Sequence, residues 1–115
     1  MPKAINFKKL PIDEYIQLYT VLSNANRIRI LFALYHDPPS QGTISFSKLE
    51  EKLDVNPALL TCHLKILLHG GLVENSLTTQ GTFQYRLTKK GYRTVKGMIK
   101  ELNICRRRAH VQKAS

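Results

Sequence analysis

"FSKLEEKLDVNPALLTCHLKILLHGGLVE", residues 46–74, holds two helical patterns separated by a short break. Asn56 followed by Pro57 marks the start of the second, because the Asn side chain can accept an orphan helix N–H and a first-turn proline lacks a donor that would have no partner anyway. Gly70 and Gly71 mark its end, since the left-handed residue that closes a helix is usually glycine. At 3.6 residues per turn, Leu60, His63, Leu64 and Leu67 share one face, and Ala58, Thr61, Cys62 and Lys65 share the opposite one. The first face packs inward and the second is left for a partner.

The Cys62-His63 pair suggests metal or redox chemistry, but the helix splits it. His63 falls at the edge of the apolar face, where a structural imidazole is expected, while Cys62 points outward. Cys62 and His69 are seven residues apart, roughly 10 Å along a helix, too far for two ligands of one ion. No metal and no cofactor is therefore expected.

Before this stretch, "PIDEYIQLYTVLS" (11–23) repeats apolar residues at Ile12, Tyr15, Ile16, Tyr19 and Leu22, which predicts a first helix. "NANRIRILFALY" continues the period as a second helix after an Asn-rich cap at 24–26, and the prolines of "HDPPSQG" (36–42) end it in a loop. Thr43–Phe46 favours a β stub. Ser47 with Glu50 three residues later fits a capping box and predicts that the third helix starts at Ser47.

After the double glycine, two extended runs flank Thr78-Thr79-Gln80-Gly81, with Phe83, Tyr85 and Leu87 alternating against Thr82, Gln84 and Arg86. That pattern is a β-hairpin. Thr88 then caps a fifth helix expected to end near Cys105, with Tyr92, Val95, Ile99 and Leu102 along one packing stripe. Residues 106–115, "RRRAHVQKAS", read as a basic, flexible tail.

This order predicts one domain over 1–105, mainly α with a small β-hairpin (α+β): a winged helix-turn-helix, with helix-turn-helix 47–70 and wing 72–87. A plain three-helix bundle would not explain the stub or the hairpin. One core is also what 115 residues support. The chain carries no apolar run near the roughly 20 residues that span a bilayer and no secretory pattern, so a cytoplasmic, nucleoid-associated protein with free thiols is expected. Eighteen Lys and Arg against eight Asp and Glu give a net charge of +10, which suits a polyanion such as nucleic acid. No Ser/His/Asp set, paired carboxylates or phosphate loop stands out, and an enzyme is not expected.

Three stretches are similar to the ArsR-type winged-helix repressors and their archaeal relatives. "LSNANRIRIL" (22–31) resembles the opening of that family's core helix. Residues 46–74 resemble its helix-turn-helix, with His63-Leu64-Lys65 in place of the family's His-Leu-Lys and Gly71-Leu72-Val73 after it. "FQYRLTKKG" (83–91) resembles the second wing strand and the turn beyond. The resemblance implies a homodimeric regulator of transcription that binds double-stranded DNA, with helices 11–23 and 88–105 forming the dimer through Ile12, Tyr15, Ile16, Tyr19, Tyr92, Val95, Ile99 and Leu102. The family's metal sites are not carried over: Cys62 has no cysteine two residues away, and the last helix offers only Glu101 and, beyond its expected end, His110. No small-molecule effector is evident.

In that frame the base-contacting candidates are Asn56, Ala58, Leu59, Thr61, Cys62 and Lys65. Only Asn56, Thr61 and Lys65 bring conventional hydrogen-bonding groups, so AT-rich or modestly specific binding is expected, with apolar contacts to thymine methyls. Phosphate-contacting candidates are Arg27, Ser47, Lys48, Thr78, Thr79, Gln80 and Arg86. Arg106, Arg107, Arg108 and Lys113 could add an arm of non-specific contacts, and Cys105 reads as a thiol at the dimer seam. Two other functions fit the same residues: an architectural protein that coats DNA with little sequence preference, and a winged helix that binds protein or RNA.

Overall fold

The computed structural model describes residues 4–36 and 42–114, with side chains described through residue 103. Most of the expected loop at 36–42 and the side chains of Cys105, Arg106, Arg107, Arg108, His110 and Lys113 lie outside the described residues.

A 3₁₀ turn, Phe7–Lys9, leads into α1 (Ile12–Leu22) and α2 (Ala25–Leu34). Asn24 starts α2 by accepting from the backbone N–H groups of Asn26 and Arg27. Strand β1 (Ile44–Ser45) precedes α3 (Phe46–Leu53) and α4 (Pro57–His69); β2 (Val73–Leu77) and β3 (Phe83–Leu87) form the wing, and α5 (Lys89–Ala114) closes the chain.

The start of α3 differs from the expected one. Ser45, not Ser47, is the cap: its extended backbone ends β1 and its hydroxyl accepts from Lys48 N–H at 3.3 Å. Phe46 can then enter the first turn and pack against the core. The helix-turn-helix break is Asp54-Val55-Asn56, where Asp54 adopts a left-handed conformation (φ 50°) that an Asp tolerates better than most residues.

The end of α4 is a Schellman closure. Gly71 takes φ +73°, its N–H reaches Leu68 O at 3.1 Å, and Leu72 N–H reaches Leu67 O at 3.1 Å. Leu67 and Leu72, which meet across such a closure, are both fully buried.

The stub and the hairpin join into one antiparallel sheet in the order β1-β3-β2, with Ile44 opposite Tyr85 and Val73 opposite Leu87. The wing is thus three-stranded rather than a free hairpin. At its tip, Gly81 (φ +83°) follows a turn closed by Gly81 N–H to Thr78 O, the three-residue loop type that demands a left-handed residue.

Among the described residues, twelve buried hydrophobic ones drawn from α2, α3, α4, the turn after it, the sheet and α5 make one core, with Ile30, Leu31, Leu60, Leu67, Leu72 and Val95 at its centre. α1 contributes no buried residue. Val95, expected on a dimer seam, is fully enclosed in the chain's own core, because α5 packs against α2 and β3 and its inner stripe is consumed there. α5 also continues past its expected end near Cys105 to Ala114. Residues 106–114 contain no Gly or Pro to stop it, and Arg, Ala, Gln and Lys are good helix formers.

Candidate nucleic-acid interface

Leu60, His63, Leu64 and Leu67 are the buried residues of α4, and Ala58, Leu59, Thr61, Cys62 and Lys65 are exposed. Leu59 keeps half of its surface in solvent. The helix therefore divides along the line its periodicity predicts.

Two polar members of the outward set are already oriented by the backbone. Asn56 Oδ1 accepts from Ala58 N–H at 2.8 Å, which leaves its side-chain amide as a donor. Thr61 Oγ1 donates to Pro57 O at 2.9 Å, so its remaining lone pairs can only accept. A donor at the start of the helix and an acceptor one turn later could pair with opposite halves of a base-edge pattern.

Beside α4, a groove of about 820 Å3 runs to the wing and is lined by Thr61, Lys65 and Leu68 on one side and by Asn75, Gln80 and Gln84 on the other. Asn75 and Gln84 were not among the sequence candidates. Both lie on strands that read as scaffold, and only the tertiary turn of the wing toward α4 brings them into the groove. Tyr85, in the same wall, has its phenol held above the ordinary value by burial, with a smaller opposing contribution from a hydrogen bond to Asn75.

The phosphate candidates divide three ways. Ser47 and Lys48 are exposed at the start of α3, and Thr79 and Gln80 are exposed at the wing tip. Arg86 is exposed but paired: its Nε lies 2.6 Å from Glu74 Oε1, directly across the β2-β3 ladder. Arg27 and Thr78 are committed elsewhere. Arg27 Nη1 donates to Val21 O at 3.2 Å and Thr20 O at 3.4 Å, neutralising the carbonyl end of α1, and its Nε is buried without a hydrogen-bond partner among the described residues. Thr78 Oγ1 lies 2.8 Å from Thr82 Oγ1 and accepts from Thr82 N–H, so it closes the turn rather than facing a groove.

His63 is a core residue. Burial, then the charge of Arg27, holds its imidazole below the ordinary value, and its Nδ1 is enclosed without a hydrogen-bond partner among the described residues. Cys62 is an exposed free thiol. Among the described residues no three His, Cys, Asp or Glu side chains gather where they could hold a metal, and no helix is long and apolar enough to cross a membrane.

A second surface lies on α1. Ile12, Tyr15, Ile16 and Tyr19 each expose half or more of their area, with Ile5 and Phe7 just before them, and the Tyr15 and Tyr19 rings sit 5.1 Å apart. On α5, Leu102 is half exposed, whereas Ile99 is partly buried and Tyr92 stacks on Tyr35 at 5.3 Å.

No family model matches the chain, and no curated protein does. Solved structures match well. The transcriptional regulator HlyU from Vibrio vulnificus superposes with a TM-score of 0.67 at 25% identity, covering 84% of this chain and 97% of that one. The transcriptional repressor BigR from Xylella fastidiosa gives 0.64 at 24%, covering 77% and 83%. The homodimeric winged helix-turn-helix DNA-binding domain of Mb0332 from Mycobacterium bovis, a possible ArsR-family regulator, gives 0.63 at 20%, covering 90% of each. The fold of this chain is that of the ArsR-type winged helix-turn-helix regulators.

Proposed function

We propose that this protein is a homodimeric regulator of transcription that binds double-stranded DNA, with α4 in the major groove and the wing tip, residues 76–82, near the minor groove. The observation that carries the reading is the division of α4: one face is sealed into the core, and the other is exposed beside a groove reaching the wing. A net charge of +10 supplies the attraction to a polyanion. Ser47, Lys48, Thr79 and Gln80 fix the register on phosphates, helped by the terminal nitrogens of Arg86. Asn56, Thr61 and Lys65 read base edges, while Ala58, Leu59 and Cys62 meet thymine methyls. Asn75 and Gln84 join the interface from the wing.

Dimerisation uses the apolar face of α1 together with Leu102. A stripe of Ile12, Tyr15, Ile16 and Tyr19 left in solvent is the kind of patch that marks a protein interface.

Selection of bound duplexes from a random pool, followed by titration with competitor DNA at several salt concentrations, tests the reading. A recovered AT-rich site that outlasts competitor supports it. Binding without any preferred sequence favours the architectural reading, which the small number of bidentate readers on α4 also supports. No binding to any duplex sinks both.

A further inference from the structure

The outward face of α5 carries a second cationic feature that the α4 interface does not use. Lys89, Arg93, Lys96 and Lys100 follow the spacing i, i+4, i+7, i+11, which places them within an arc of about 60° along roughly 16 Å of helix. All four are exposed. Val95, Met98 and Leu102 lie about 100° or more from the nearest of the four around the same axis, so the stripe is separate from the fully buried core position and from the proposed dimer contact at Leu102.

The stripe is not a set of isolated cations on a convex helix. Where it leaves the wing, Lys89, Arg93 and Lys96 line a hollow of about 450 Å3 with Arg86 of β3. Arg93 and Lys96 also line the next hollow, of about 500 Å3, which Lys100 completes. Sharing Arg93 and Lys96, the two hollows together make a shallow trough that starts at the base of the wing. Lys96 Nζ stands 5.8 Å over the Tyr92 ring, which holds that cation toward the trough wall.

Acids are kept out of it. Glu74 is the one carboxylate in the lining, and it is paired with Arg86. Glu101, next in sequence to Lys100, lies instead close enough to Tyr19 of α1 to add to the rise in that phenol's pKa, a rise set mainly by Tyr15.

We infer that the α5 trough holds the sugar–phosphate backbone of duplex DNA outside the segment read by α4. Three lysines and an arginine offer donors and charge, and most protein–DNA hydrogen bonds from such side chains go to phosphate oxygens and sugar. Continuity with the wing through Arg86 indicates duplex flanking the bound site. A lipid surface fits less well, because membrane-seeking faces project apolar side chains and this one is concave. The inference rests on the DNA-binding reading above.

The test compares wild type with the quadruple variant Lys89→Gln, Arg93→Gln, Lys96→Gln, Lys100→Gln, in which exposed positions keep good helix formers. Circular dichroism and thermal unfolding establish that it is folded, and a Lys89→Gln, Lys100→Gln double variant gives an intermediate dose. Affinity is measured against salt for a duplex limited to the selected site and for one extended by two helical turns on each side. The expected result is a steeper log K against log salt for wild type on the long duplex, with the excess, up to about 3 to 4 per protomer, lost in the quadruple variant. On the short duplex the two proteins should match. A wild-type slope for the variant on the long duplex overturns the inference, as does an equal loss on both lengths. Stripe-dependent binding to anionic vesicles with duplex slopes unchanged also overturns it. Failure of wild type to bind either duplex would instead remove the DNA reading beneath it.

Discussion

Gly91, in the first turn of α5, lies so close to the Leu72 backbone that a Cβ added to it would fall 2.0 Å from the Leu72 carbonyl oxygen. The same carbonyl accepts from Thr88 N–H at 3.1 Å, so the strand entry and the helix start are bonded as well as touching. Neither backbone can yield without breaking the other's hydrogen bonds. Gly91→Ala should therefore destabilise the fold by about 3 kcal/mol, at the upper end of overpacking costs. Thermal unfolding should register a fall in Tm of roughly 10 °C or more. A Tm within about 2 °C of wild type would show that this contact is not tight. Gly97, whose added Cβ meets nothing within 4 Å, is the control and should tolerate alanine.

The two serines around the start of α3 should separate stability from binding. Ser45 holds the cap, so Ser45→Ala should cost about 1 kcal/mol. Ser47 is exposed and makes no comparable bond among the described residues, so Ser47→Ala should leave unfolding unchanged and weaken duplex binding. Urea titration and DNA titration of both variants check the assignment, and a reversed pattern would restore Ser47 as the cap.

Because burial and Arg27 hold the His63 imidazole below its ordinary value, the folded protein takes up that proton at lower pH than the unfolded chain does. Between the two values the unfolded state binds more protons, so stability rises with pH there. The contribution is complete above about pH 6.5, the unfolded value for histidine, and declines as pH falls below it. Denaturant titrations from pH 7.5 to 5.5 should show this decline, and His63→Gln should flatten it. An identical decline in H63Q would assign it to other groups.

Dimerisation through α1 can be tested without touching the core, since the helix buries no residue in its own chain. Ile16→Glu with Tyr19→Glu should place charge in the interface and shift the protein to monomer by sedimentation, with the helical signal retained. Duplex affinity should fall with it, because two half-sites are no longer joined. A dimer that survives the double substitution would move the interface elsewhere.

How much of this could be read from the residues depended on the range of the forces involved. The boundaries of α4 and its inward face follow from caps and periodicity, which act within a turn or two, and Asn56, Gly71, Leu60, His63, Leu64 and Leu67 behave as those local signals predict. Arg27 and Val95 are different. A basic residue and an apolar stripe look the same in sequence whether they face a ligand, a partner or the chain's own interior, and only packing sends Arg27 to the end of α1 and Val95 into the core. Asn75 and Gln84 were hidden for a related reason: strand alternation reveals a face but not what stands opposite it. The shift from Ser47 to Ser45 came from two overlapping local signals, resolved by the gain of placing Phe46 against the core.

The hydroxyl of Thr88 donates to Gly71 O at 2.6 Å and accepts from Gly91 N–H at 3.0 Å, and Lys90 Nζ reaches Gly70 O at 3.4 Å. These bonds clamp the end of α4 to the start of α5 within the chain. In a dimer joined through its terminal helices, the clamp works as the rigid arm of a caliper. The separation of the two reading heads is then set by how the subunits meet, with little slack inside either one. On the proposed DNA-binding reading, operators whose half-sites differ from that separation must bend to be bound, so spacing becomes a source of selectivity for a helix with few bidentate readers.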